Sequence, residues 1–331
     1  MQYKHNQPRP DRAGDEAPAD GIIEGRNAVI EALRAGTQID KIFIMKGEMD
    51  TALGHIASTA RSQGIVVADA DKRKLDGMSR THAHQGVIAV AAVRAYATVE
   101  DILQAARDKG EPPLLVVCDE LSDPHNLGAV IRTAECAGAH GVIIPKRRSA
   151  GLTAVVAKTS AGAVSHLPVA RVANLPSLFK RLKEEGLWIF GSAADGTTSL
   201  YAADLKGPAA LVIGSEGSGM SRLVSETCDF LVRIPMRGKL NSLNASAAAA
   251  ILLYEALRQR LAELSQEKIA LEAERTAKSR AGQEMNETLL NLERAASRLE
   301  SKLATSAMEE KQILDKLWET YELSHSDAAA Q

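Results

Sequence analysis

Leu114-Leu115-Val116-Val117-Cys118-Asp119-Glu120-Leu121-Ser122-Asp123-Pro124-His125-Asn126-Leu127-Gly128 decides the fold class of this chain. Five apolar residues in succession, with no polar alternation, suit a strand covered on both faces. A polar loop follows and leads into a helical stretch, Leu127–Ala137. The texture recurs downstream: Gly141–Pro145, Leu187–Phe190, Ala209–Ile213 and Phe230–Ile234 are near-continuous apolar runs, and helical stretches Leu175–Glu185 and Ser246–Arg258 lie among them. Residues 113–260 therefore read as α/β, a mostly parallel sheet with helices on both faces.

Upstream, residues 21–97 read as a smaller α/β unit. It has helices over Arg26–Ala35 and Thr51–Gln63 and strands over Lys41–Met45, Ile65–Ala68 and Gly86–Val93. Residues 98–112 form a linker, helical over Val99–Lys109 and closed by Gly110 and Pro112-Pro113. The first twenty residues are polar and rich in Pro, Asp and Arg, the composition of a disordered arm. They hold no apolar stretch of the kind a secretory signal needs.

Proline marks the last boundary. All eleven prolines lie at or before Pro235, and the 96 residues after it hold only Gly238 and Gly282. So long a stretch without breakers reads as helix. From Leu257 a 3,4 spacing passes through Leu261, Leu264, Lys268, Leu271, Arg275, Lys278, Gly282, Met285, Leu289 and Leu292 to Leu303, and resumes at Ile313 and Leu317. Residues 261–331 thus read as a coiled-coil-like tail whose polar middle should fray.

Composition narrows the function. The 331 residues are 45% hydrophobic and 25% charged, ordinary for a globular protein of about two domains. Aromatics make up only 3%, which argues against a site built of stacked rings. No apolar run reaches the ~18 residues of a membrane span. Cys118, Cys136 and Cys228 are odd in number and far apart, so they suit a reducing cytoplasm and small buried positions better than disulfides or a metal site. The net charge of −2 conceals an asymmetry: −5 over residues 261–331 and +3 over the rest. A mildly basic front permits nucleic-acid binding without requiring it.

Ligands of parallel sheets collect beyond the carboxyl ends of the strands. Three such segments stand out. The first holds Asn126 and, six residues on, Arg132; these share a site only if Asn126 caps the helix, and a cap is its ordinary reading. The second, Gly214-Ser215-Glu216-Gly217-Ser218-Gly219-Met220-Ser221, is one residue short of a phosphate loop, since Met220 stands where the lysine would be. The third, Pro235 to Ser246, opens an alanine-rich helix and carries Ser242 and Asn244. His125, His82 and His84 read as solvated or isolated, with no third ligand for a metal. Lys146, Arg147 and Arg148 form a basic run suited to solvent or to phosphate.

Together these segments resemble the three motifs of the SpoU (TrmH-like) branch of the SPOUT methyltransferases, which use S-adenosylmethionine to methylate the ribose 2′-hydroxyl of RNA. The resemblance covers about residues 21–260. It rests on Asn126 with Arg132, on Ile213 to Gly217, and on Ile234-Pro235-Met236 with Ser242 to Ser246. Gly25 to Val29 and His84 to Val87 look like the RNA-binding domain of the ribosomal-RNA members, and Pro145 to Ala150 also looks closer to those than to the transfer-RNA members. The resemblance implies a C-terminal trefoil knot, a homodimer that completes the site, and ribosomal RNA as partner, with no metal and no membrane. It implies that Gly214, Ile234 and Leu243 hold the cofactor and that Asn126, Arg132, Glu216, Ser242 and Asn244 serve catalysis. A guanidinium keeps its proton too tightly to be a comfortable base, so Arg132 suits stabilisation of a forming oxyanion better. The rival readings are a transfer-RNA 2′-O-methyltransferase and a non-catalytic RNA-binding or coiled-coil scaffold.

The tail resembles something else. Glu272 to Thr276 and Ile313 to Leu323 are similar to the coiled-coil arm of bacterial SMC proteins. The ATPase heads of that family are missing, so no ATPase function carries over. A fusion, or the joining of two unrelated reading frames, would account for it.

Overall fold

The computed structural model describes residues 21–47 and 50–329, so the arm expected over residues 1–20 lies outside the described residues. Residues 1–261 form one unit and residues 262–331 a second.

The first unit opens with β1 (Ile22–Glu24), α1 (Arg26–Arg34), β2 (Ile39–Met45), α2 (Thr51–Ser62), β3 (Val66–Ala70), α3 (Lys72–Met78) and β4 (Val87–Ala91). The strands pair in the order β1-β4-β2-β3, with only β2 and β3 parallel. Val29, Leu33, Ile42, Leu53, Ile56 and Val87 pack in the core on one face. β1 and α3 lie outside the helices and strands expected there; both are short, and α3 holds only one fully buried side chain, Leu75, too little apolar periodicity to read.

Then come α4 (Val99–Lys109), β5 (Leu114–Cys118), α5 (Pro124–Cys136), β6 (Gly141–Pro145), α6 (Ala154–Thr159), β7 (Val169–Val172), α7 (Leu175–Glu184), β8 (Trp188–Ser192), β9 (Thr198–Ser199), β10 (Ala209–Ile213), α8 (Arg222–Thr227), β11 (Phe230–Arg233) and α9 (Ala245–Tyr321). Seven strands pair in the order β7-β6-β5-β10-β8-β11-β9, every pairing parallel. The apolar runs divide by parity: Leu114, Val116 and Cys118 face one core, Leu115 and Val117 the other. Helices α5, α6 and the start of α9 cover the first face; α4, α7 and α8 cover the second. The stretch read as a helical linker therefore buries Val99, Ile102, Leu103 and Ala106 against the sheet. Gly128 brings α5 close to α6, since a Cβ there would stand 1.9 Å from Thr159 Oγ1.

Cys118 is buried, and burial pushes its thiol up to about 12; half-buried Cys228 is likewise raised to about 12. Cys136, expected inside, is exposed.

α9 runs unbroken through the polar stretch where fraying was expected. Lys278 pairs with Glu274 at 2.7 Å, and Lys268 and Arg280 each reach a glutamate one turn on at 3.9 Å. Such pairs stabilise a helix without a partner strand. The second unit comprises the rest of α9 and α10 (His325–Ala329), and none of its described residues is buried.

A polar seam joins the two sheets of the first unit. Asp40, at 4% exposure, accepts hydrogen bonds from the Tyr96 hydroxyl and from Arg171 Nη1 at 2.8 Å. The Arg171 guanidinium also lies over the Tyr96 ring, 4.9 Å from its centroid, and the Tyr96 hydroxyl accepts from Leu152 N at 2.9 Å. Burial raises the Asp40 carboxyl above its ordinary range, opposed by Tyr96 and Arg171. Arg171→Met removes the buried countercharge and should destabilise the protein by about 3 kcal/mol near neutral pH. Asp40 then prefers to be neutral in the folded state, so stability is fullest below the unfolded carboxylate range and falls as pH rises through the folded pKa. Urea denaturation at pH 5 and pH 7.5 should therefore show the smaller loss at pH 5.

Candidate functional site

Because all seven strands of the larger sheet run one way, the loops after β5, β10, β8 and β11 gather at one edge. Three of these loops meet through hydrogen bonds. Asn126 Nδ2 donates to Glu216 Oε1 at 2.5 Å, and Asn244 Nδ2 donates to the same oxygen at 2.5 Å and to Asn126 Oδ1 at 3.0 Å. Asn244 Oδ1 in turn accepts from Ser246 N at 2.9 Å and Ser246 Oγ at 2.6 Å, which fixes the side chain to the start of α9. The carboxylate thus holds two amides that are 118 residues apart in the chain.

Asn126 does not cap its helix. Asp123 does, accepting from His125 N at 2.9 Å, and Asn126 is the third residue of α5, buried at 7% exposure. Arg132 lies on the same helix roughly 240° around and ~9 Å along. It is exposed and has no hydrogen-bond or ion-pair partner among the described residues. The chain therefore brings together Asn126, Glu216 and Asn244 but leaves Arg132 off their face.

Beside this cluster lies a cavity of about 700 Å³ lined by Gly214, Glu216, Ile234, Ser242 and Leu243, within the size range of small-molecule sites. Its walls combine apolar side chains, Ile213, Met220 and Met236 among them, with main chain at three strand ends. Gly214 opens a tight turn in which Ser215 and Gly219 exchange hydrogen bonds at 2.9 and 3.0 Å, and Gly219 takes φ +68°, a backbone region glycine enters without strain. A Cβ on Gly214 would stand 2.2 Å from Gly219 C and 2.3 Å from Met220 N. The glycine is needed by the loop itself, not by open space for a ligand.

A fourth segment, Ser192 at the end of β8 with Ala193 to Asp195 after it, also lines the cavity. Sequence reasoning missed it, although it follows an apolar run just as the other three do. Asp119, the residue after β5, accepts from Ser221 N at 2.7 Å, tying the first loop to the second. In the basic run, Arg148 pairs with Glu120 at 2.9 Å while Arg147 is exposed.

Comparison with known proteins finds relatives along most of the first unit. A family model described as the SpoU rRNA methylase family matches residues 113–254, and one described as RNA 2′-O ribose methyltransferase substrate binding matches residues 22–98. YacO of Bacillus subtilis (strain 168), named as of the TrmH family of tRNA/rRNA methyltransferases, is 47% identical over 72% of this chain and 95% of its own length. A Staphylococcus haemolyticus protein named for the same family is 47% identical over 73% of this chain and 96% of its own. Among solved structures, the SpoU methyltransferase AviRb from Streptomyces viridochromogenes, in complex with AdoMet, is similar at 26% identity and a TM-score of 0.48, covering 73% of this chain and 91% of that one.

The turn makes an unequal demand on its glycines. Gly214→Ala should cost ~1–3 kcal/mol through overpacking against the loop backbone. Gly217, whose Cβ would meet nothing within 4 Å, should tolerate alanine within ~0.5 kcal/mol. Urea unfolding of the two variants checks the contrast, and equal losses would contradict the loop geometry.

Proposed function

The chain belongs to the SpoU rRNA methylase family, and from that premise we propose its reaction. It transfers a methyl group from S-adenosylmethionine to the ribose 2′-hydroxyl of a guanosine in large-subunit ribosomal RNA. The observation that carries this reading is Glu216 joining Asn126 and Asn244 at the edge of the cavity.

The residues present fit the cofactor: apolar walls for a nucleoside, main chain at strand ends for hydrogen bonds, and carboxylates for a cation. Gly214, Ile234 and Leu243 would hold it. When bound, S-adenosylmethionine supplies a methyl group on a positively charged sulfur. The protein then has to align the acceptor oxygen and stabilise negative charge on it. Glu216 keeps one carboxylate oxygen free of the two amides, and Ser242 borders the same space, so these two orient the acceptor hydroxyl. Arg132 donates through its planar fork to the forming oxyanion and an adjacent phosphate, and the proton leaves through water.

Arg132 is exposed and absent from its own chain's cavity. This supports a homodimer in which the arginine of one copy serves the cavity of the other; the family's knot near the start of α9 belongs to the same proposal. For RNA, the smaller sheet offers a hollow lined by Arg26, Lys46 and Lys72, with Asp71 and Asp76 on the same wall, and Arg147 is exposed on the loop after β6. No helix of the described residues is long and apolar enough to cross a membrane.

Mass-spectrometric mapping of ribose methylation, with and without the gene, tests the reading. One guanosine of large-subunit RNA should lose its methyl group; a lost mark on transfer RNA would move the substrate, and no lost mark at all would favour the scaffold. Arg132→Ala should abolish turnover while calorimetric affinity for S-adenosylmethionine stays within about threefold, and Arg132→Lys should fail as well because a point charge cannot replace the fork.

The tail should be dispensable. The buried residues of α9 all lie between Ala245 and Ala256. Chain ending at residue 263 should keep the dimer mass and turnover of the full-length protein, and a monomeric or inactive product would make the long helix part of the enzyme.

A further inference from the structure

The cavity is lined by four charged side chains, and their balance is uneven. Arg222 Nε pairs with Glu226 at 2.7 Å, so these two cancel. Glu216 and Asp195 remain. Glu216 is engaged by the neutral amides of Asn126 and Asn244, which leave its charge in place. Asp195 is exposed to the cavity and has no hydrogen-bond or ion-pair partner among the described residues. A carboxylate left unpaired beside an apolar wall attracts a cation more strongly than one in open water.

We infer that Asp195 distinguishes the methyl-bearing cofactor from the spent one by charge, favouring entry of the first and release of the second. The inference rests on the methyltransferase reading above. When the methyl group passes to the ribose oxygen, the sulfur keeps the bonding electron pair and becomes a neutral thioether, and the hydroxyl proton leaves to solvent. The bound nucleoside therefore falls from a net charge of about +1 to about zero, with its ammonium, carboxylate, ribose and adenine unchanged. A residue that touched any of those shared groups would hold both forms alike. A residue acting through the sulfonium charge holds only the first. Asp195 and Glu216 line the same cavity from the loops after β8 and β10. Of the two, Asp195 is the one outside the catalytic cluster.

Calorimetry on the full-length protein tests this with three probes: S-adenosylmethionine, S-adenosylhomocysteine, and sinefungin, which carries an amine in place of the methylated sulfur. Asp195→Asn should weaken S-adenosylmethionine and sinefungin by about fivefold and S-adenosylhomocysteine by less than about twofold, the size expected of one partly screened charge. Raising the salt should weaken the two cationic probes in the wild type and much less in the variant. Asp195→Glu, which keeps the charge, should keep the preference. Equal weakening of all three probes, or no change in any, would overturn the inference while leaving the methyltransferase reading intact. Wild-type protein that binds none of them would bring down both.

Discussion

One carboxylate oxygen, Glu216 Oε1, holds the functional edge of the larger sheet together. It takes hydrogen bonds from amides in the first turn of α5 and on the loop after β11 while standing on the loop after β10. These are charge-assisted bonds, among the stronger non-covalent contacts a protein makes. They also reach backward: Asn244 carries the constraint into the first turn of α9, and Asp119 ties the start of the α5 loop to Ser221. The turn at Gly214 has to be tight for Glu216 to reach both partners, and only a residue without a Cβ permits it. Cavity shape, helix start and loop closure are thus one arrangement.

Much of this was legible in the chain. Near-continuous apolar runs marked β5, β6 and β10 to the residue, because a strand buried on both faces leaves no room for polar alternation. β7, β9 and α8 were not legible: two to six residues long, they take their form from neighbours in the sheet rather than from their own pattern. Among the site residues, the meeting of Asn126, Glu216 and Asn244 could be expected from a resemblance but from no spacing, since contacts across 90 and 118 residues leave no period in a sequence. The cap at Asp123 was misjudged for a local reason: both it and Asn126 are good capping residues, and only the helix start decides between them.

The smaller sheet is not tethered loosely. Asp40, Tyr96 and Arg171 form a buried polar contact whose members come from the smaller sheet, the connecting segment and β7. Arg171 also donates to Lys146 O at 3.1 Å, so the basic loop after β6 hangs from the same guanidinium. That loop in turn bonds to the α5 loop, with Ala150 N donating to Leu121 O at 2.8 Å. A chain of directional contacts therefore leads from the smaller sheet to the segment preceding Asn126. Buried ion pairs contribute little net stability against an apolar substitute, but they fix one geometry. For the proposed reaction, in which a nucleotide held on one sheet is presented to a cavity at the edge of another, geometry is the quantity worth fixing.

The same arrangement answers an electrostatic conflict. A cavity with two uncompensated carboxylates favours a cation, yet the proposed acceptor is a polyanion that must come within bonding distance of it. Within a Debye length of ~8 Å at physiological salt such charges are felt directly. Apart from Arg222, which is paired with Glu226, the cations that could offset them stand outside the cavity: Arg132 on α5, Arg147 on the loop after β6, and Lys46 and Lys72 beside the smaller sheet. Keeping the two signs apart lets the carboxylates act on a small ligand while the cations act on the backbone of a long one. An unpaired arginine inside the cavity would neutralise the attraction for a sulfonium; carboxylates spread over the surface would repel RNA before it docked. In the proposed reaction the separation also gives Arg132 a reason to lie off the face of Asn126, since there it would meet a phosphate and a forming oxyanion without cancelling the charge that draws the cofactor in.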